Sequence, residues 1–380
     1  MIDQGQTPQV ALRLAIDTGP LHGARTGIGV AVDALVLELA SRNTVALHPY
    51  VTSYRAQLTP GTQRLPLPAA LAHRTWARVG LPRVDRWLGD VDVVHGTNYV
   101  VPPSRLPSVV TVYDCWFLRN ERDASPAVRH AGDVLRAAVR RGAMVHTSSH
   151  ATEQAVRELL HTDRVRTVHL GSVPVPDAPD GPVSARQRID GRPFILAIGT
   201  LERRKNIPSL IRAFAEISAG HTTEQLVLAI AGGDGDDRTA VDTALGELSA
   251  DIRQRVVPLG RVSEPERGWL LRHATALAYP SLDEGFGFPL LDAMQVGLPI
   301  VATSVGSIPE VAGDAALLVP LHDHTALATA LGTVVADDTV RHRLIAAGEL
   351  QHRRFTWQRC ADELIDLYHH TISHRPGPPP

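Results

Sequence analysis

A chain of 380 residues is too long for one compact core and points to two domains, and its 38 basic and 40 acidic residues leave a net charge of −2. That balance supplies no counterion-release drive toward nucleic acid and no polybasic attraction to anionic lipid, so a dedicated nucleic-acid binder is excluded. Two cysteines far apart in sequence, Cys115 and Cys360, form neither a disulfide framework nor a metal-ligand spacing, and aromatics at 4% among 44% hydrophobic residues indicate a core of Ala, Val and Leu.

In chain order, Leu12–Asp17 reads as a strand, followed by a glycine-bearing loop over 19–29 and a helix over 30–40 with positions 32, 35, 36 and 39 on one face. Further strands are predicted at 45–51, 91–95, 108–113 and 143–147. Residues 173–193, within a passage that carries Pro174, Pro176, Pro179, Pro182 and Pro193, read as a linker. A second series of strands opens at 194–199 and continues at 226–231, 255–259, 276–279, 299–302 and 316–319, with helices at 207–218, 264–274 and 290–296 between them. A helix over 357–370 and a disordered tail over 371–380 follow. Strands alternating with helices predict an α/β fold of two doubly wound Rossmann-like domains, 1–172 and 194–354, facing a central cleft lined by strand ends.

No run approaches the roughly 18 apolar residues of a membrane-spanning helix. Residues 1–9 lack the basic start and apolar stretch of a signal peptide, so a cytoplasmic protein is expected.

The common nucleotide fingerprints are absent: neither GxGxxG after an opening strand nor GxxxxGK[ST] occurs. Two DxD triplets, Asp90-Val91-Asp92 and Asp234-Gly235-Asp236, are too short to specify a metal-held nucleotide, and 234–237 reads as a solvated loop. A stronger signal follows the strand at 194–198, in Gly199-Thr200-Leu201-Glu202-Arg203-Arg204-Lys205-Asn206 before a helix. Lys205 is the single lysine of the chain; every other basic residue is arginine. Cations at a strand end beside a helix N-terminus suit a diphosphate, although a solvated basic turn has the same composition. The next signal is Glu284-Gly285-Phe286-Gly287-Phe288, with Asp292 at the start of the following helix: two carboxylates near a helix terminus, able to accept from sugar or ribose hydroxyls or simply to cap the helix. The stretch 64–88, with Trp76, Trp87 and several arginines, reads either as an acceptor or membrane-surface element or as an ordinary loop and helix.

These two segments together resemble the signature pair of the family-4 retaining glycosyltransferases, enzymes with the two-domain GT-B fold. The resemblance extends to Thr26-Gly27-Ile28-Gly29, Val94-His95-Gly96-Thr97-Asn98, Val112-Tyr113-Asp114, Leu259-Gly260-Arg261-Val262-Ser263, Pro309-Glu310-Val311-Ala312-Gly313 and Phe355-Thr356-Trp357, and so covers nearly the whole chain. It implies an acceptor-binding first domain completed by the final helix, and a nucleotide-sugar-binding second domain. Arg204 and Lys205 would neutralise the donor diphosphate and Glu284 would meet the sugar ring. Gly27, Gly29, Thr200, Val262, Gly285, Phe286, Gly287 and Phe288 would line the donor, and Asp292 would take the ribose hydroxyls in place of the family's second glutamate. Where the family commonly carries a histidine before an aspartate, this chain has Tyr113 before Asp114. His95 and Asp114 are therefore the alternatives for the polar group nearest the acceptor, and His95 equally suits a buried strand-end histidine.

The resemblance implies a retaining hexosyltransferase with no cofactor and no metal, using a nucleoside-diphosphate sugar, with GDP-mannose the first choice because of the Arg-Lys-Asn loop. The acceptor would be a saccharide, a lipid-linked glycan or a small molecule, and a lipid-linked acceptor would bring peripheral contact with the inner membrane face. Two other readings share the architecture: a sugar-nucleotide epimerase or phosphorylase, and a nucleotide-sugar-binding protein without turnover. Oligomeric state is not legible.

Overall fold

The computed structural model describes residues 12–23, 26–54, 56–122, 124–177, 184–218 and 225–375. The chain divides into two compact units, the first made of the chain up to Gly171 together with the segment from Thr356 onward, the second of Ser172–Phe355.

Seven parallel strands form the first sheet among the described residues: β1 (Leu12–Asp17), β2 (Val45–Val51), β3 (Gln63–Arg64), β4 (Val93–Gly96), β5 (Ser108–Val112), β6 (Met144–Thr147) and β7 (Val165–Thr167), in the order β3-β2-β1-β4-β5-β6-β7. Leu14, Ile16, Val93, Val94, Val109 and Val110 are wholly buried, which is why these strands read as continuous apolar runs rather than alternating ones. The order reverses between β1 and β4, whose register pairs Leu14 with Val93 and Ile16 with His95. The first helix starts at Gly27, earlier than its apolar pattern predicts, because Thr26 Oγ1 accepts from Gly29 N at 3.2 Å and caps it. The last helix, Trp357–Ser373, lays Cys360, Ala361, Leu364, Leu367, Tyr368 and Thr371 on the first unit. Those positions recur every three or four residues, as a single buried helix face requires.

The second unit repeats the plan with β8 (Phe194–Ile198), β9 (Val227–Ala231), β10 (Val256–Gly260), β11 (Ala276–Tyr279), β12 (Ile300–Thr303) and β13 (Ala316–Val319), ordered β10-β9-β8-β11-β12-β13. Its reversal falls between β8 and β11. Ile195, Leu210, Phe214, Leu228, Leu277, Val301 and Leu331 fill its interior, each fully buried.

Several expectations need correction. The passage 173–193 is not simply a linker: Ser184–Ile189 is a helix with Ala185 and Ile189 buried, and the chain from Ser172 belongs to the second unit. Residues 371–373 continue the last helix rather than opening a tail, while 376–380, like 1–11 and 178–183, lie outside the described residues. The short edge strands β3 and β7 were not legible, since two or three residues carry no periodicity. In the stretch 64–88, Trp76 is a core residue whose Nε1 donates to Pro82 O at 3.2 Å, so it is not available to an acceptor or a membrane. Asp90 and Asp92 both pair with Arg13 at the amino edge of the sheet, the edge opposite the strand ends that receive ligands, and Asp234 pairs with Arg238. Among the described residues no helix is long and apolar enough to cross a membrane.

Candidate functional site

The carboxyl ends of β8 and β11 flank the reversal of the second sheet, the place where open α/β sheets receive ligands. After β8 the chain makes a tight turn over Arg203–Lys205, and Asn206 takes a left-handed conformation (φ 53°) to enter the helix Ile207–Ile217. Asn206 Nδ2 donates to Pro280 O at 3.1 Å and Leu282 N donates to Arg204 O at 2.7 Å, so the loops after β8 and β11 are bound to each other.

Their side chains converge on one carboxylate. Lys205 Nζ donates to Glu284 Oε1 and Arg204 NH1 to Glu284 Oε2, each at 2.5 Å, and Ser281 Oγ donates to Oε1 at 2.7 Å. Lys205 also donates to Tyr279 OH at 3.1 Å and lies 4.8 Å from that ring's centre. The Glu284 side chain is only 6% exposed. Burial alone would raise its carboxyl, but the adjacent Lys205 and Arg204 charges overcome that and hold it down to about 2. Glu284 is therefore an anion throughout the physiological range and fixes the positions of two cations.

The glycine-rich turn behind it is held from the loop after β12. Ser307 N donates to Glu284 O at 3.0 Å and Ser307 Oγ to Phe286 O at 2.9 Å. Gly306 has φ 52°, and a β-carbon there would lie 2.5 Å from Glu284 O, so only glycine fits. Gly287, also left-handed, begins the helix Phe288–Gln295, and Phe286 is buried edge-on to Phe288. Asp292 lies in that helix with Oδ2 accepting from Arg267 NH1 at 2.6 Å. Its burial outweighs the guanidinium and lifts the carboxyl to about 6. Thr200 is exposed beside the turn after β8, and Val262 is half-buried after β10.

The structure thus brings together Arg204, Lys205, Glu284 and Gly285 at the reversal of the second sheet. Gly27, Gly29, His95 and Asp114 belong to the first unit. Gly29 is buried where a β-carbon would lie 2.9 Å from Pro20 O, a packing reason for glycine. Asp114 Oδ1 accepts from Trp116 N at 3.0 Å and so shapes its own turn.

His95 departs furthest from its expected place near the acceptor. It is fully buried and both ring nitrogens are engaged, with Tyr368 OH at 2.8 Å from Nδ1 and Thr111 Oγ1 at 2.8 Å from Nε2. Burial, with His146 nearby, lowers it to about 3. A neutral, saturated, inaccessible imidazole belongs to the core.

Sequence reasoning missed Arg267, Ser281 and Ser307. Arg267 had a usable signal: it stands in the first turns of a helix opened by a Ser263–Glu266 capping box, where the dipole disfavours a cation unless a carboxylate receives it.

Residues 183–351 match the family model described as glycosyl transferases group 1. The chain is 30% identical over 285 residues to the O-antigen chain mannosyltransferase B of Escherichia coli, covering 73% of this chain and 74% of that protein. It is 28% identical to the D-inositol 3-phosphate glycosyltransferase of Xylanimonas cellulosilytica, covering 97% and 98%. Among solved structures, sucrose-phosphate synthase from Thermosynechococcus elongatus superposes with a TM-score of 0.70 at 20% identity, over 95% of this chain and 99% of that one. At that identity the likeness shows the fold, the GT-B type.

Proposed function

Because the chain belongs to the glycosyl transferases of group 1, we propose that it transfers a sugar from a nucleoside-diphosphate sugar to a hydroxyl acceptor with retention of anomeric configuration. The observation that carries this reading is the Lys205–Glu284–Arg204 cluster at the reversal of the second sheet. As the bond from the anomeric carbon to the diphosphate breaks, its electron pair passes to the leaving phosphate oxygen and negative charge grows there. Lys205 and Arg204 stabilise that charge more strongly in the transition state than in the ground state. The acceptor oxygen attacks from the face of the departing diphosphate, and its proton goes to the phosphate oxygen. Glu284 holds both cations in place and presents a carboxylate to the sugar. No metal or cofactor is needed where two fixed cations supply the charge.

GDP-mannose is the first donor, a choice supported by the similarity to a mannosyltransferase. The acceptor is a saccharide, a lipid-linked glycan or a small polyol, and the relatives named for O-antigen chains and inositol phosphate are consistent with that range. A lipid-linked acceptor would place the enzyme at the cytoplasmic face of the membrane.

A thermal-shift panel of GDP-, UDP-, dTDP- and ADP-sugars tests the reading. A rise in melting temperature with one nucleotide class, and none in Lys205→Ala, is expected. The absence of any shift across the panel would count against donor binding at this site. With the donor in hand, anomeric NMR of the product reports retention, and transfer undiminished by EDTA reports metal independence.

A further inference from the structure

The chain's one lysine is held along its whole length. Gly199, with φ 146°, lies against the methylenes: a β-carbon there would come within 3.2 Å of Lys205 Cε and 3.5 Å of Cδ. At the head, Nζ donates to Glu284 Oε1 at 2.5 Å and to Tyr279 OH at 3.1 Å, with the Tyr279 ring centre 4.8 Å away. An ammonium has three N–H donors. Two are thereby engaged, and among the described residues the third has no partner.

Packing does not explain the hydroxyl of Tyr279. Tyr279 ends β11 after Ala276, Leu277 and Ala278 and is 2% exposed. Phenylalanine would fill the same space without burying an oxygen. The buried hydroxyls of Thr303 and Ser307 donate to the backbone carbonyls of Ser281 and Phe286 and so brace the neighbouring loops. That of Tyr279 instead accepts from the ammonium. Burial, and after it the Glu284 charge, raise the phenol well above its ordinary value. It therefore stays neutral beside Lys205 and directs the ammonium without cancelling its charge. With Glu284 alone the ammonium could pivot about one oxygen; with two anchors its place and the direction of its third N–H are set.

We propose that Tyr279 is a positioning residue, which together with Glu284 fixes Lys205 so that a single N–H is left for the leaving diphosphate oxygen. The role of that N–H rests on the glycosyl-transfer reading; the fixing of Lys205 does not. Ground-state binding of a diphosphate, shared with Arg204 and governed by net charge, depends little on the hydroxyl. The transition state, in which charge concentrates on one oxygen, depends on where the ammonium stands.

Because lysine occurs once, lysine labelled with carbon-13 at Cε gives the full chain a single NMR reporter at Lys205. Tyr279→Phe keeps the ring and its packing, so a cooperative melting transition is retained. In that variant the Lys205 Cε resonance should shift and its relaxation should report faster internal motion than in the wild type. Identical relaxation in the two forms would overturn the proposal, whatever the activity. Turnover supplies a second readout, with GDP-mannose as donor and methyl α-D-mannopyranoside as acceptor. Tyr279→Phe should lower kcat about tenfold and leave the donor KM within about twofold. In a Lys205→Ala background the same change should alter the rate by less than about twofold, because the residue acts through the ammonium. An equal loss in both backgrounds, or no loss in either, would make Tyr279 a packing residue and end its positioning role. Titration of the lysine signal with GDP and UDP tests the underlying reading separately. If neither moves the signal while Tyr279→Phe still loosens it, the donor reading fails and the positioning of Lys205 stands.

Discussion

The hydroxyl of Tyr368 meets Nδ1 of His95 at 2.8 Å across 273 residues of sequence, and the direction of that bond is fixed by the far end of the chain it begins. Val168 O can only accept, so His146 Nε2, 3.0 Å away, carries a proton and its Nδ1 is bare. Thr111 therefore donates to His146 Nδ1 at 2.9 Å and receives from His95 Nε2 at 2.8 Å, which leaves His95 Nδ1 to accept from Tyr368. One directional series links the last helix to β4, β5 and β6. Tyr368→Phe leaves a buried acceptor unsatisfied and should lower the stability of the first unit by about 1–3 kcal/mol. Urea unfolding followed in that unit would show it, and an unchanged midpoint would mean the bond contributes nothing.

The same series makes stability depend on pH. His95 and His146 are lowered by burial from 6.5 to about 3 and about 4. With folded values below unfolded ones, their contribution is complete above about pH 6.5 and is lost as the pH falls toward those values, because the unfolded chain takes up protons that the folded chain refuses. At pH 5 each histidine should cost on the order of 2 kcal/mol relative to pH 7. Asp17 and Asp292, raised to about 7 and about 6, act in the opposite sense over part of that range. The comparison is therefore best made against His146→Gln, which keeps a donor for Val168 O but does not titrate. Its loss of stability between pH 7 and 5 should be smaller than that of the wild type; parallel curves would remove His146 from the account.

Glu284→Gln should separate binding from turnover. The amide no longer neutralises Lys205 and Arg204, so the two cations repel and the fold should lose roughly 3–5 kcal/mol, as when one partner of a buried pair is removed. The same uncompensated charge should make a nucleoside diphosphate bind more tightly, while transfer falls by about a hundredfold or more. Calorimetry with GDP and UDP beside single-turnover rates checks both. Weaker nucleotide binding together with slower transfer would show that Glu284 supports the diphosphate site instead of competing within it.

The composition singled out Lys205, and the glycine turn singled out Glu284, because both signals are local: a unique residue at a strand end and a short motif before a helix. What stayed hidden depends on distance in sequence. Tyr368 reads as one more apolar position of an amphipathic helix, and nothing in the chain announces its hydroxyl partner on β4. His95 stood equally for chemistry and for core until the strands on either side of β4 were in place. Edge strands of two or three residues, such as β3 and β7, are fixed by a neighbour's free backbone groups rather than by their own side chains.

Gly306 should be indispensable although its side-chain position faces protein alone. Its φ of 52° and the 2.5 Å approach to Glu284 O mean that Gly306→Ala must move the backbone carrying Glu284. If that loop acts in transfer as proposed, a displacement of that kind should cost about a hundredfold in rate. Transfer should fall by that order with a modest change in melting temperature, whereas near-normal turnover would show that the loop tolerates the shift.

Arg267 and Asp292 give the last expectation its sign. Asp292 sits at about 6 because burial raises it and the Arg267 guanidinium, 2.6 Å away, restrains the rise. Arg267→Met removes the restraint, so the carboxyl value must climb further and a larger neutral fraction will exist at pH 7. If Asp292 accepts from the ribose diol of the donor, as the family resemblance implies, only its ionised form presents two acceptor oxygens to a pair of hydroxyls. Nucleotide affinity of Arg267→Met should then rise with pH between 6 and 8, where the wild type, already ionised over most of that span, changes little. Calorimetric titrations at those pH values decide it. A flat profile in the variant would mean that the protonation state of Asp292 does not matter to the nucleotide, and the ribose role would pass to another group.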